Sequence, residues 1–163
     1  MLKKIKLALI TERRADYSRF KPLLEIITKD KKLDYSLIVT GLHLMNEHGK
    51  TINEIKRDGF KIFNTITMFD KNYKGDGASM VRSMGNVLRK LPKVLKEIKP
   101  NLILAGFDIG ANFSIIVSGA HLNIPIAHIQ GGEFSGSIDE SLRHSMSKFS
   151  NFHFVANNDA KKD

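Results

Sequence analysis

The chain is predicted to fold as a doubly wound α/β domain on a mostly parallel sheet. Short β-branched apolar runs alternate with amphipathic helical stretches along the whole sequence. Most of these runs are apolar without polar alternation, as strands buried on both faces are. The 163 residues, 42% apolar and 26% charged, suit one domain with a real core.

Taken in order, residues 5–10 (Ile-Lys-Leu-Ala-Leu-Ile) read as the first strand, ending at Thr11. A helix follows over 17–28, with Phe20, Leu23, Leu24 and Ile27 at helical spacing and Pro22 early, where a helix tolerates it. Residues 34–40 form the second strand, stopped by Gly41. A helix is expected over 46–57, closed by Gly59 in the left-handed region, and a third strand over 61–67. Residues 73–77 are polar and glycine-rich and read as a loop. The helix over 79–98 should bend or split at Pro92. A fourth strand at 102–106, a small-residue helix at 111–121, a fifth strand at 125–129, a helix at 138–149 and a sixth strand at 152–156 complete the alternation. Residues 157–163 read as the start of another helix, which marks the chain as a fragment.

Composition narrows the function. Lys and Arg number 26 against 17 Asp and Glu, a net charge of +9, which suits nucleic acid or an anionic small substrate. The Lys-rich stretch 89–99 lacks the interleaved exposed aromatics of a nucleic-acid surface and reads as a solvated helix face, so no nucleic-acid partner is expected. No apolar run reaches membrane-spanning length, and no membrane partner is expected. The absence of cysteine excludes disulfide and thiolate chemistry, and with no charged-then-apolar leader it predicts a cytoplasmic protein. No histidine pair has zinc-hydrolase spacing and no calcium-loop pattern occurs, so no metal is expected. Gly-x-Ser-x-Gly is missing, as is a dinucleotide glycine fingerprint after the first strand.

In doubly wound sheets ligands lie beyond the carboxyl ends of the strands, near the point where strand order reverses. The loop after the first strand, Thr11-Glu12-Arg13-Arg14-Ala15-Asp16-Tyr17, sets two guanidinium groups beside a helix amino end. It reads either as an anion site or as a solvated pair with Asp16 capping the helix. After the fourth strand, Asp108 reads equally as a site acid or as a cap for the next helix. The run from His128 to His144 turns through Gly131, Gly132 and Gly136, and restarts as a helix at Ser137, with Ser137-x-x-Glu140 as a capping box. Gln130, Glu133, Asp139, Glu140, Arg143 and His144 crowd this turn. They suit a proton-transfer site, or a capped helix whose acids pair with Arg143. His43 and His48 flank a helix start within reach of a ligand, while His121 and His153 read as structural.

Arg14-Ala15-Asp16-Tyr17-Ser18, Val39-Thr40-Gly41-Leu42-His43-Leu44, Asp58-Gly59-Phe60 and the run 127–154, above all Gly-Gly-Glu-x-Ser-Gly-Ser-Ile-Asp-Glu-Ser-Leu-Arg-His, carry a resemblance over essentially the whole chain. The chain resembles the hydrolysing UDP-N-acetylglucosamine 2-epimerases of sialic-acid and related nonulosonic-acid biosynthesis. The resemblance implies a Rossmann-like domain over 1–163, the amino-terminal half of a two-domain fold of glycosyltransferase-B type, with the second domain absent from this chain. It implies a reaction without cofactor on a UDP-sugar: removal of the C2 proton, loss of UDP, and hydration of the glycal to a 2-epimeric free sugar. It implies a homo-oligomer at full length and an inactive fragment by itself. The non-hydrolysing epimerases and a non-catalytic nucleotide-sugar binding module are the alternative readings.

The resemblance gives catalytic roles to Asp108, Asp139, Glu140 and Glu133, and substrate contacts to Arg14, Gln130, Ser135, Arg143, His144 and His43. Two departures stand out. Many relatives carry Glu where this chain has Gln130, and Asp-Arg-x-Glu or Asp-Arg-x-Asp where it has Asp108-Ile109-Gly110-Ala111. An amide cannot ionise as a carboxylate does. Either the substrate differs from plain UDP-N-acetylglucosamine, or proton transfer moves to Asp108, Glu133 and Asp139.

Overall fold

A computed structural model of the chain describes residues 4–107 and 109–162. Six parallel strands, β1 (Ile5–Thr11), β2 (Leu33–Thr40), β3 (Ile62–Ile66), β4 (Leu102–Gly106), β5 (Ile126–Ile129) and β6 (Phe152–Phe154), form one sheet in the order β3-β2-β1-β4-β5-β6. The order reverses between β1 and β4, so the switch point lies beyond their carboxyl ends. The helices are α1 (Arg14–Lys29), α2 (Ile52–Arg57), α3 (Gly77–Ile98), α4 (Gly110–His121) and α5 (Ile138–Phe149).

Successive strand residues feed opposite cores, which is why the runs are apolar throughout. Leu7, Leu9, Leu37 and Val39 pack with Tyr17, Phe20 and Leu24 of α1 and Ile55 of α2. Ala8, Ile10, Ile38 and Ile103 pack instead with Leu91 and Leu95 of α3, Ile115 of α4 and Met146 of α5. The doubly wound architecture read from the alternation is the one observed.

Four expectations are corrected. The helix expected over 46–57 is one short 3-10 turn, Asn46–His48, followed by the brief α2, because Gly49 and Lys50 both adopt left-handed backbone and interrupt it. Gly59 is left-handed as expected. Pro92 does not split α3, which runs unbroken over 22 residues; Pro92 is exposed, on the solvent side of the helix. α1 begins at Arg14, three residues earlier than its apolar periodicity suggested, because Asp16 caps it. Residues 158–162 form turns rather than a helix.

Candidate active site

Beyond the end of β1 the chain is pinned by buried polar groups. The Asp16 carboxylate accepts the backbone N–H groups of Glu12 (2.8 Å) and Arg13 (2.8 Å) and the Thr11 hydroxyl (3.0 Å). The bond to Arg13 is the N3-to-cap half of a capping box, with Arg13 as the residue before the helix. Burial nevertheless lifts the Asp16 pKa above the usual carboxylate range, since desolvation outweighs the three hydrogen bonds. The capping reading of Asp16 therefore describes what it does.

His43 stands behind this turn, fully buried, with Nε2 3.0 Å from the Thr11 hydroxyl and Nδ1 2.7 Å from the Thr51 hydroxyl. Desolvation lowers its pKa to about 4, so the ring is neutral. Both ring nitrogens are engaged and no surface is open to a ligand; the expected substrate contact of His43 gives way to a scaffold role. Arg14 projects from the first turn of α1 and is largely exposed, 3.5 Å from the Glu54 carboxylate. It lines a surface hollow of about 490 Å³ with Glu54, Arg57 and Asp58.

The mouth proper lies beyond β4 and β5. Phe107 and Gln130 each take left-handed backbone, with φ of 62° and 65°. One side chain that the sequence reading passed over joins them. Arg19 of α1 sits 5.0 Å over the Phe107 ring and donates to the Gln130 side-chain oxygen at 2.9 Å. The Gln130 amide nitrogen donates in turn to the Glu133 carboxylate at 2.7 Å. Arg143, buried on α5, donates to the Glu133 carbonyl. Gln130, Glu133 and Arg143 thus belong to one chain of contacts linking α1, the β5 loop and α5.

The glycine turn is held from the helix. Glu140 accepts the N–H groups of Ser135 (2.9 Å) and Gly136 (2.8 Å), and these bonds lower its pKa. The capping box expected from Ser137 and Glu140 is therefore displaced: Ser137 Oγ accepts from Asp139 N–H, while Glu140 reaches back past Ser137 into the loop. Glu140 is committed to the loop backbone and Asp139 is exposed. Gly132 has φ of +76°, and a Cβ there would strike the Ala160 carbonyl, so only glycine lets the 158–162 turn pass. Phe134 and Ile138 are exposed along the turn. The His144 ring lies 5.4 Å from that of Phe134 and lines a groove of about 900 Å³ with Gly131, Gly132, Phe152 and Phe154.

Asp108, the acid expected after β4, lies outside the described residues. An acceptor for the amino end of α4 nevertheless comes from elsewhere: Glu12, 4% exposed, accepts the Ala111 N–H at 3.0 Å. Its position directly after β1 was the signal that could have marked it. Among the described residues no three His, Asp or Glu side chains gather as a metal-binding set. No helix among them is long and apolar enough to cross a membrane. The mouth therefore offers carboxylates of contrasting surroundings beside fixed guanidinium groups, a set suited to proton transfer next to an anionic leaving group.

Residues 25–163 match the model of the family described as UDP-N-acetylglucosamine 2-epimerase. The chain is 36% identical over 157 residues to a hydrolysing UDP-N,N'-diacetylbacillosamine 2-epimerase of Legionella pneumophila, covering 96% of this chain and 41% of that protein. It is 35% identical over 151 residues to a UDP-N-acetylglucosamine 2-epimerase of Neisseria meningitidis serogroup B, covering 93% and 39%. A crystal structure of UDP-GlcNAc 2-epimerase from Neisseria meningitidis bound to UDP-GlcNAc superimposes with a TM-score of 0.83 at 18% identity, covering 97% of this chain and 42% of that one. The chain thus spans about two fifths of the length of the curated relatives it matches. With a family match over most of its length and relatives above one third identical, the chain belongs to the UDP-N-acetylglucosamine 2-epimerase family.

Proposed function

We propose that this chain is the amino-terminal Rossmann-like domain of a hydrolysing UDP-N-acetylhexosamine 2-epimerase whose second domain, outside this chain, closes over the mouth. The observation that carries the reading is the contact chain from Arg19 through Gln130 and Glu133 to Arg143, which fixes an acid-rich turn at the carboxyl edge of the sheet. The 36% identity to a hydrolysing relative supports the hydrolytic form.

In this reading a carboxylate removes the proton at sugar C2. The C2–H electron pair becomes the C1=C2 double bond, and the C1–O pair leaves on the diphosphate of UDP. Water then adds, its oxygen to C1 and a proton to the opposite face of C2, giving the epimeric free sugar. A C2 proton is weakly acidic, so the step needs a positioned base and stabilisation of the leaving diphosphate. Asp108, Asp139, Glu133 and Glu140 are the proposed acids of the mouth. Of these, Glu140 also stiffens the turn by holding the Ser135 and Gly136 amides. Arg14, Arg143, Gln130, Ser135 and His144 are the proposed substrate contacts, and the full-length protein is proposed to form a homo-oligomer.

A second reading, a nucleotide-sugar binding module without turnover, is favoured by one observation: the Gln130 amide stands at the mouth and cannot ionise. A non-hydrolysing epimerase would instead re-add UDP. Incubation of the full-length protein with a panel of UDP-hexosamines separates the three. Free 2-epimeric sugar and UDP are expected; a UDP-linked epimer marks the non-hydrolysing reaction, and binding without conversion marks the module.

A further inference from the structure

None of the described acids proposed above is buried. Glu12 is a carboxyl of another kind. It follows the last residue of β1, at the switch point between β1 and β4, and only 4% of it is exposed. Its Oε2 accepts the Ala111 N–H at 3.0 Å in the first turn of α4. Its other oxygen, Oε1, makes no hydrogen bond among the described residues. The surroundings are shaped around this side chain. Gly41 has φ of +58°, and a Cβ there would strike the Glu12 Cγ and carbonyl.

The geometry points to Glu12 as the base that takes the proton from sugar C2, an assignment that rests on the epimerase reading above. The carboxylate becomes a carboxylic acid, the C2–H pair forms the C1=C2 bond, and the C1–O pair leaves on UDP. A solvated surface carboxylate is a weak base toward a C–H bond. Burial raises the pKa of Glu12, which makes its ionised form more basic. Among the described residues, the charged and titratable groups around it are Asp16 of α1, Arg13 of its own loop and Tyr73 of the loop before α3; the His43 backbone N–H donates to its carbonyl. The Ala111 N–H bond and Arg13 lower the pKa and Asp16 lifts it, but burial is the largest influence and the net direction is upward.

The test uses the full-length protein and a UDP-hexosamine that the wild type turns over. A wild type that releases no UDP from any UDP-hexosamine removes the epimerase reading and this assignment together. With an active wild type, Glu12→Gln is expected to lower kcat by about 10²–10⁴-fold while KM stays within about threefold. It should also abolish the acidic limb of the kcat/KM profile, which lies above the usual carboxylate range. Glu12→Ala is expected to regain turnover with added formate, a carboxylate small enough to replace the missing one. Glu12→Gln turning over within about threefold of wild type, with an unchanged pH profile, overturns the assignment. Where Glu12→Gln melts before assay, Glu12→Asp decides: a fall in kcat of about tenfold or more at similar KM supports the role, and unchanged kcat refutes it.

Discussion

The Arg19 guanidinium donates to the Gln130 side-chain oxygen at 2.9 Å, joining two residues 111 positions apart in the chain. Arg19 belongs to the first helix after β1, and Gln130 begins the glycine turn after β5. The bond therefore spans the switch point and fixes the turn relative to α1. Because Arg19 also lies over Phe107, its removal loosens both loops that border the mouth.

Arg19→Ala is accordingly expected to destabilise the domain modestly, by about 1 kcal/mol, because the bond is exposed. It should speed amide hydrogen exchange in residues 131–136 more than elsewhere. Urea denaturation and exchange mass spectrometry check the two effects, and uniform exchange across the chain would show that the tether is not there in solution.

Glu140→Gln removes the charge that holds the Ser135 and Gly136 amides. The pKa of Glu140 is depressed in the folded protein, so its contribution is present above the ordinary carboxylate range and is lost as pH falls through the folded pKa. The protection factors of the Ser135 and Gly136 amides, measured against intrinsic rates at each pH, should therefore fall severalfold on acidification in the wild type and be low and independent of pH in Glu140→Gln.

The two buried histidines set a second pH dependence. His43 and His128 are both lowered to about 4 by burial, against an ordinary 6.5. Each therefore contributes stability at neutral pH that is lost as pH falls from 6.5 through 4, at most about 3 kcal/mol apiece. Glu12 and Asp16 act in the opposite direction, their raised pKa values costing stability as pH rises through them. Histidine NMR shifts should show both rings neutral at pH 5.5, and a ring titrating near 6.5 would contradict its burial.

Gly132→Ala places a methyl group against the Ala160 carbonyl on left-handed backbone. The cost is expected to be about 2 kcal/mol or more, with displacement of the 158–162 turn. A thermal melt unchanged by the substitution would show that this turn is not packed on the glycine loop.

The legibility of this chain in its sequence followed the range of the contacts involved. Strands such as 102–106 and 5–10 were readable because burial on both faces leaves an uninterrupted apolar run. The glycine turn was readable because Gly131, Gly132 and Gly136 cluster with charge. The stretch 46–57 was misread because its apolar spacing is helical while Gly49 and Lys50 take left-handed backbone. Arg19 and Glu12 were passed over because their partners, Gln130 and Ala111, lie 111 and 99 positions away. No local pattern reports such pairings. His43 looked like a ligand contact because exposure cannot be read from a single polar residue after a strand.

Arg14→Ala in the full-length protein is expected to weaken UDP binding by about tenfold, the loss of one charge-assisted contact. Calorimetry reads it directly, and unchanged affinity would leave Arg14 as the partner of Glu54 alone.

The central claim, that this fold half serves a hydrolysing 2-epimerase, is tested most directly by proton NMR of the full-length protein with UDP-hexosamines in D2O. The account predicts UDP and a free 2-epimeric sugar carrying deuterium at C2. Products still linked to UDP, or a C2 that keeps its original proton, would contradict it.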